Sequence, residues 1–372
     1  MLSCLQREQR ISLTSEHSFS KTGNIKVWRQ KYFKVVYIIP VLVLILLFGY
    51  LYWQTLYAVN TFTYTRMTMD TFVEIRFQAQ GKRAAEEIRD EVFAEIERLE
   101  NMFSRSVETS DVVAVNNSAG LRPVAVSPEV FFVTEQALRY AELSKGAFDP
   151  TVAPLTDLWG FFSDKDSRVP EPGEIESILQ LVDYRLVEID PTNQTIYLPK
   201  RGMGLELGGI AKGFIVDQAL ETFLNAGIEH AYVNAGDIGL LGTRPDGEPW
   251  RIGLRNPRDQ RDIIAILPLA NAAVDTSGDY ERAFVEEGIN YHHILDPETG
   301  MPARGLASVT VTAKTTMEAD VLSTAAFVLG PEKGLALIEE LPGAEGVFVT
   351  PEFEITITSG LEDKIEMLVQ QD

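Results

Sequence analysis

The amino-acid sequence predicts an α+β fold: a single large domain of mostly antiparallel sheet and packed helices, preceded by one N-terminal transmembrane helix. Three observations lead there. An uncharged apolar run occupies residues 35–53. Helical periodicity marks residues 82–103, where Ile88, Val92, Ile96, Leu99 and Phe103 fall on one face. Short strand-like segments at 230–234, 238–241, 250–254, 263–267 and 272–276 follow one another closely, which favours antiparallel pairing. With 372 residues, 45% of them hydrophobic, the chain can bury a substantial core, as one large domain or two ordinary ones.

Charge is uneven along the chain. Residues 1–34 carry Arg7, Arg10, Lys21, Lys26, Arg29, Lys31 and Lys34 against Glu8 and Glu16, a net of +5, so the remainder holds −26 within a total of −21. An acidic body of this kind argues against nucleic acid as a partner, because affinity there rests on neutralising phosphates. A bound nucleotide would need local donors or a bridging cation. The single cysteine, Cys4, leaves no internal disulfide and no cysteine-based zinc site, and it lies upstream of the apolar run, where a lipid-modified cysteine is not expected.

The run at 35–53 reads VVYIIPVLVLILLFGYLYW, 19 residues without a charge. As a helix it extends about 28 Å, close to the hydrocarbon thickness of a bilayer. Tyr50, Tyr52, Trp53 and Tyr57 form an aromatic belt at its far end, and Pro40 is tolerable in such a helix. The expected organisation is a basic cytoplasmic tail at 1–34, an anchor at 35–57 and a folded domain at 62–372. The basic flank precedes the span, so the positive-inside rule makes this a single-pass protein of the inner (plasma) membrane, N-terminus cytoplasmic and folded domain periplasmic or extracytoplasmic. A cleaved signal peptide is the competing reading. No small-x-small cleavage site follows and the leading segment is long, which favours an uncleaved anchor.

After the anchor, residues 65–77 alternate as a strand in their last half, and the helix at 82–103 follows with a solvated face of Glu and Arg. Ser127, Pro128 and Glu129 supply an N-cap, a first-position proline and an early acid for a helix reaching about Ser144 and stopped by Gly146. Residues 146–161, with Pro150, Pro154 and bulky aromatics, read as a rigid, partly buried loop, serving either core packing or a flat-ring pocket. Pro170, Pro172 and Gly173 mark a surface connection, and 184–189 with 195–198 a hairpin. A strand at about 306–313 leads to a helix at 316–329; another helix and two strands close the chain.

The stretch from Gly204 to Asp217 passes from a short strand-like piece through Gly208-Gly209 into a helix that carries Lys212 early and ends near Gly227. Helix N–H groups and dipole there suit an anion such as phosphate. The same turn is also an ordinary tight connection, and its spacing fits neither the Walker nor the dinucleotide pattern. In the helix at 316–329, Asp320 and Thr324 share a face with Ser323 beside them. Oxygen-only ligands suit a hard cation such as Mg2+; the alternative is that Asp320 and Thr324 merely satisfy N-terminal amides. His292 and His293 precede an Asp-Pro turn. Histidine is the natural proton acceptor at neutral pH, and strand alternation lets at most one of the pair face a site. As zinc ligands they lack partners at suitable spacing.

Several distinctive segments follow one another along the chain: Met69-Asp70-Thr71, Gly146-Ala147-Phe148-Asp149-Pro150-Thr151, Trp159-Gly160-Phe161, Gly208-Gly209-Ile210-Ala211-Lys212-Gly213, Asn234-Ala235-Gly236-Asp237, Thr276-Ser277-Gly278-Asp279-Tyr280, the run from His293 to Gly300, and Glu318-Ala319-Asp320 with Ser323-Thr324. Together they resemble the FAD:protein FMN transferase family, the ApbE-type flavin transferases, over roughly residues 62–350. The resemblance implies a flavin-transferase-type α+β domain that takes FAD as substrate with Mg2+ and moves the FMN half onto a threonine or serine hydroxyl of a target protein, releasing AMP. It implies that Met69, Ala147, Phe148, Asp149, Glu206, Lys212 and Leu295 line the FAD site. Gly209 through its carbonyl, Asp320, Ser323 and Thr324 would hold the metal, and His293 would lie near the reacting centre. The implied targets are flavoprotein subunits of membrane redox complexes.

Phosphoryl transfer needs charge neutralisation on the pyrophosphate, an in-line nucleophile and a stabilised leaving phosphate; Mg2+ and Lys212 supply the first and last. Removing the hydroxyl proton falls to His293 or to a carboxylate such as Asp279. The chain departs from the family at Asp70, where Gly is usual, at Glu206, where Asp is usual, and in the loss of one glycine before Asp237. Ser106 also stands where many members have an aromatic residue. Two other readings remain: an Mg2+-dependent FAD pyrophosphatase giving FMN and AMP, and a non-catalytic membrane-anchored flavin-binding protein. Binding a ring needs the Phe148 region but no metal ligands, which argues against the second.

Overall fold

A computed structural model describes Tyr32 and residues 34–161 and 167–369. It contains two compact units, Met1–Ala58 and Val59–Asp372, so the folded domain begins three residues before the expected boundary. In the first unit a π-helical turn, Lys34–Ile38, continues as helix α1, Ile39–Tyr57. Pro40 sits in the first turn of α1, directly after the π-helical turn. The side chains of residues 35–51 are all exposed. Most of the basic tail at 1–34, including Cys4, lies outside the described residues.

In the second unit eight strands form one sheet: β1 Val59–Thr68, β2 Thr71–Gln80, β3 Ala231–Asn234, β4 Ile238–Leu241, β5 Ala273–Gly278, β6 Ser308–Ala313, β7 Glu345–Val349 and β8 Ile355–Ile357. Their spatial order is their chain order, and every pairing is antiparallel. Met69 and Asp70 form the β1–β2 turn with φ of 53° and 55°. Glycine adopts that left-handed conformation freely, and Asp tolerates it better than most other residues.

The helices are α2 Gly81–Phe103, α3 Asp111–Asn117, α4 Pro128–Leu143, α5 Ala153–Trp159, α6 Pro172–Leu179, α7 Gly208–Asn225 and α8 Thr316–Glu339. Period-2 alternation sorts the sheet's side chains between two cores. Val73, Ile75, Phe77, Val309 and Val311 pack in the large core with Ile96 and Leu99 of α2, Phe223 of α7 and Phe327 of α8. Leu240, Val274 and Val347 instead pack with Trp250, Ile252 and Leu267. Hence every residue of β6 is buried. The strands at 250–255 and 263–269 belong to this covering layer, a separate three-stranded sheet completed by Glu366–Met367, and not to the main sheet.

Two local expectations are corrected. Residues 146–161 are not all loop: Pro154 opens α5 and Gly160, in the left-handed region, ends it. Residues 203–207 form no strand, and Gly208-Gly209 lies inside the first turn of α7. As expected, one helix ends at Leu329 and another follows it, with Gly330 (φ 80°) and Pro331 at the break; the two are taken together as α8. Although α8 is long and apolar enough to cross a membrane, half of its most apolar window is buried inside the domain, as befits a core helix.

The approach of α7 to α8 places the site. Asp217 of α7 accepts hydrogen bonds from the N–H groups of Thr316 (2.7 Å) and Met317 (2.9 Å), and Thr315 Oγ1 accepts from Glu318 N, so the start of α8 is capped without Asp320 or Thr324. Gly213 allows the contact, since a Cβ there would lie 2.4 Å from the Thr316 carbonyl oxygen and 2.7 Å from Met317 Cα. Both clashes are with backbone. Gly213→Ala is therefore expected to cost about 1–3 kcal/mol in denaturant unfolding; an unchanged midpoint would show that the two helices part freely.

Candidate cation and nucleotide site

Where α7, α8 and β5 meet, three aspartates converge. Asp237 follows β3, Asp275 lies in β5 and Asp320 in the second turn of α8; carboxylate oxygens from all three lie within 4.8 Å of one another. All are buried, Asp237 completely. Both Asp237 oxygens are shut off from solvent without a regular hydrogen-bond donor, and Lys212 Nζ is in ion-pair contact with one of them. Asp320 Oδ2 accepts from Gly213 N at 3.1 Å. Ser323 Oγ donates to Asp275 Oδ2 at 2.5 Å, and Ser277 Oγ lies 2.9 Å from Ser323 Oγ and 3.4 Å from Thr324 Oγ1. The expected cluster Asp320, Ser323 and Thr324 is thus assembled, joined by Asp237, Asp275 and Ser277.

The electrostatics follow from burying like charges. Asp237 is pushed up to about 7 by burial and then by Asp320. Asp320 also rises to about 7 through burial, with Lys212 opposing and Asp275 adding to the shift. Burial and Asp237 hold Asp275 well above the carboxylate range. Burial works against the charge of Lys212, but Asp237, Asp275 and Asp320 outweigh it and raise its pKa. Its side chain remains 34% exposed, so this ammonium can still meet a ligand.

A carboxylate whose folded pKa is raised contributes stability that is present below its unfolded pKa and lost as pH rises through the folded value. In a chelator, the wild type is therefore expected to lose melting temperature relative to Asp320→Asn between about pH 4 and 8, the window set by unfolded values near 3.8 and folded values of about 7. A difference that stays flat across that window would contradict the charge assignment.

Gly209 lies at the same junction. A Cβ on it would come 3.3 Å from Phe148 Cε2 and 3.4 Å from Thr324 Oγ1, and its backbone departs from the helix (φ −89°, ψ 22°). In a regular helix the Gly213 N–H points at the Gly209 carbonyl; here that N–H donates to Asp320. The kink takes Gly209 out of the regular helical path at the start of α7. Phe148 is buried in the large core beneath it.

Of the histidine pair, His292 belongs to the core. It packs edge-on against Phe327 at 5.5 Å, with Nε2 2.9 Å from the Ala303 carbonyl oxygen. His293, next in the chain, is half-buried on the other side, its Nδ1 3.1 Å from the Glu281 carbonyl oxygen. An Nδ1–H donated there leaves Nε2 as the basic nitrogen. Packing around the ring lowers its pKa to about 4, with Lys212 among the charges that add to the shift. Asp279, the other candidate base, is held in a two-pronged ion pair by Arg258 at 2.7 and 2.9 Å. Both of its carboxylate oxygens are thus occupied by the guanidinium.

The remaining expected ligand residues divide. Met69 donates its N–H to Glu100 Oε1 at 2.8 Å and is half-buried; Ala147 is also partly exposed. Asp149 turns inward: its carboxylate accepts from Thr151 N, Thr151 Oγ1 and Tyr184 N at 2.7, 2.6 and 3.0 Å. It braces the loop that carries Ala147 and Phe148, so the carboxylate itself is not offered to a ligand. Leu295 is packed with Leu155, Trp159 and Ile175. Glu206 accepts from Gly208 N (2.9 Å) and from Arg105 Nη1 (2.6 Å), while Arg105 also reaches Asp157 at 2.7 Å. The departure to Glu206 is thus tied to α7 and balanced by Arg105, a residue to which no motif pointed.

The oxygen-only ligands, the buried Asp237 Oδ2 without a donor and the space held open by Gly209 fit a hard divalent cation such as Mg2+. Fold and site together define an α+β protein with a buried carboxylate cluster beside a glycine-led helix N-terminus. The ApbE family model matches residues 69–348, and this chain belongs to the ApbE family. Among relatives, the FAD:protein FMN transferase of Treponema pallidum (strain Nichols) is 33% identical over 82% of this chain and 89% of its own. The FAD:protein FMN transferase of Klebsiella pneumoniae (strain 342) is 34% identical over 81% and 92%. The crystal structure of the ApbE protein of Thermotoga maritima superposes with a TM-score of 0.77 at 36% identity, covering 82% of this chain and 99% of that one. The flavin transferase ApbE of Vibrio cholerae gives 0.75 at 29% identity, with the same coverage.

Proposed function

We propose that this protein is an Mg2+-dependent FAD:protein FMN transferase, moving FMN from FAD to a threonine or serine hydroxyl of a target flavoprotein and releasing AMP. The observation that carries the reading is the convergence of Asp320, Ser323, Thr324 and Lys212 on the kinked start of α7. Asp320, Ser323, Thr324 and the Gly209 carbonyl would hold the cation, with Asp237 close by. Bound there, Mg2+ neutralises charge on the pyrophosphate and polarises a phosphoryl oxygen. Lys212 adds a second positive charge, and Phe148 and Met69 form part of the flavin nucleotide's enclosure. The acceptor hydroxyl forms the new O–P bond at the FMN phosphorus, its proton passes to His293 Nε2, and the bond to the AMP oxygen breaks with AMP taking the electron pair.

Incubating the full-length protein with FAD, Mg2+ and a candidate acceptor tests this directly. The expected result is an acceptor mass increased by one FMN residue and an equal amount of AMP. AMP and FMN with an unmodified acceptor would select the pyrophosphatase reading, and no AMP at all would sink both.

We also propose that residues 35–57 anchor the protein in the inner (plasma) membrane, with the tail cytoplasmic and the domain at 62–372 extracytoplasmic, facing flavoprotein subunits of membrane redox complexes. The uncharged run, its basic flank and the exposed apolar side chains of α1 support this. Protease added to intact spheroplasts should digest the domain; complete protection would reverse the topology.

A further inference from the structure

Asp275 is a carboxylate that the proposed transfer step does not use. It lies in β5 between Val274 and Thr276, is 6% exposed, and would cost several kcal/mol to bury charged without compensation. Its position becomes intelligible through Ser323. That side chain is fully buried, and its single proton has three acceptors in reach: Asp275 Oδ2 at 2.5 Å, the Asp320 carbonyl at 2.9 Å and Ser277 Oγ at 2.9 Å. The contact with Asp275 is the shortest of the three, so the proton goes to Asp275. A hydroxyl that has given up its proton in this way keeps two lone pairs. Ser277 can donate into one of them, which leaves the other for a cation. The independent sign that a further positive group belongs here is Asp237, completely buried, whose Oδ2 has no hydrogen-bond donor while Oδ1 faces Lys212.

We propose that Asp275 is a positioning residue for the cation centre: it holds the Ser323 proton and thereby turns the Ser323 oxygen toward the metal. This rests on the reading of Asp320, Ser323 and Thr324 as cation ligands and deepens it. The role is the hydroxyl counterpart of a carboxylate that orients a metal-bound imidazole, whose loss typically weakens metal binding by about 10–100-fold.

The test is a double-mutant cycle read by calorimetric titration of Mg2+ into the full-length protein at one fixed pH, without FAD, for wild type, Asp275→Asn, Ser323→Ala and the double variant. Each single change is expected to weaken Mg2+ binding about 10–100-fold, and the double variant no more than Ser323→Ala alone, because Asp275 acts through that hydroxyl. Unchanged affinity in Asp275→Asn overturns the proposal. So do losses that multiply in the double variant, which would make Asp275 a direct ligand or a purely electrostatic one. If Asp275→Asn fails to fold, the same cycle with Asp275→Ser carries the same outcomes. A wild type that binds no Mg2+ would overturn the cation site itself, whereas wild-type binding with an indifferent Asp275 overturns this inference alone.

Discussion

Replacing Asp320 by alanine is expected to abolish turnover, with a fall of at least about a thousandfold at ordinary Mg2+ concentrations. A bound metal contributes several kcal/mol of transition-state charge stabilisation, and each 1.36 kcal/mol is about tenfold in rate. Asp320 also accepts the Gly213 N–H, so alanine removes both an anion and a hydrogen-bond acceptor that helps set the α7–α8 contact. Asp320→Asn separates the two effects: it retains an acceptor for Gly213 while losing the charge. The expected result is that both variants lose Mg2+ affinity and turnover, while only the alanine variant loses appreciable stability. Normal turnover by Asp320→Ala at saturating Mg2+ would mean that the metal assignment is wrong.

His293→Ala should lower kcat by about 10²–10⁴-fold, the usual weight of a positioned general base, while leaving Mg2+ affinity near that of the wild type. The pH profile adds a sharper expectation. A base works unprotonated, and packing lowers His293 to about 4; its acid limb therefore lies well below the ordinary histidine range. Asp237 and Asp320, both raised to about 7, must lose protons before a cation is held. At limiting Mg2+ the acid limb of wild-type kcat/KM should thus fall near neutrality, and saturating Mg2+ should move it downward by an amount that calorimetry reports as protons released. A limb fixed near 6.5 at every Mg2+ concentration would favour an unperturbed histidine and remove the distinction.

Much of this was legible in the residues. The strands at 231–234, 238–241 and 273–278 sit within a residue or two of where alternation places them. Asp320, Ser323 and Thr324 are neighbours on one helical face, and helical spacing alone predicts that. His292 ends a strand in the core and His293 lies in the bend after it, half-buried, so only one of the pair is left near a site. Asp275 gave a signal that could have been read, a charged residue directly after Ala273 and Val274 in an apolar strand, since a buried carboxylate needs a reason.

Other features were beyond local reasoning. Asp149 sits in a motif beside Phe148, yet only its contacts with Thr151 and Tyr184 reveal that it braces a loop. Asp279 looks like a base until Arg258, 21 positions earlier, closes on it. Glu206 looks like a change in the ligand pocket until Arg105, 101 positions earlier, is seen to balance it.

By itself the sequence determined the class of fold, the positions of several strands, the uncharged run at 35–53 and the oxygen-bearing face of α8, because each depends on periodicity or on neighbours within one turn or strand. Only the tertiary structure decided that Asp237, Asp275 and Asp320 share one buried centre, that Lys212 answers them, and that Gly213 lets α7 come close enough to α8 for Asp320 to take its N–H. Those outcomes depend on distances between segments far apart in the chain, and on the cost of burying charge together, which no local pattern of residues encodes.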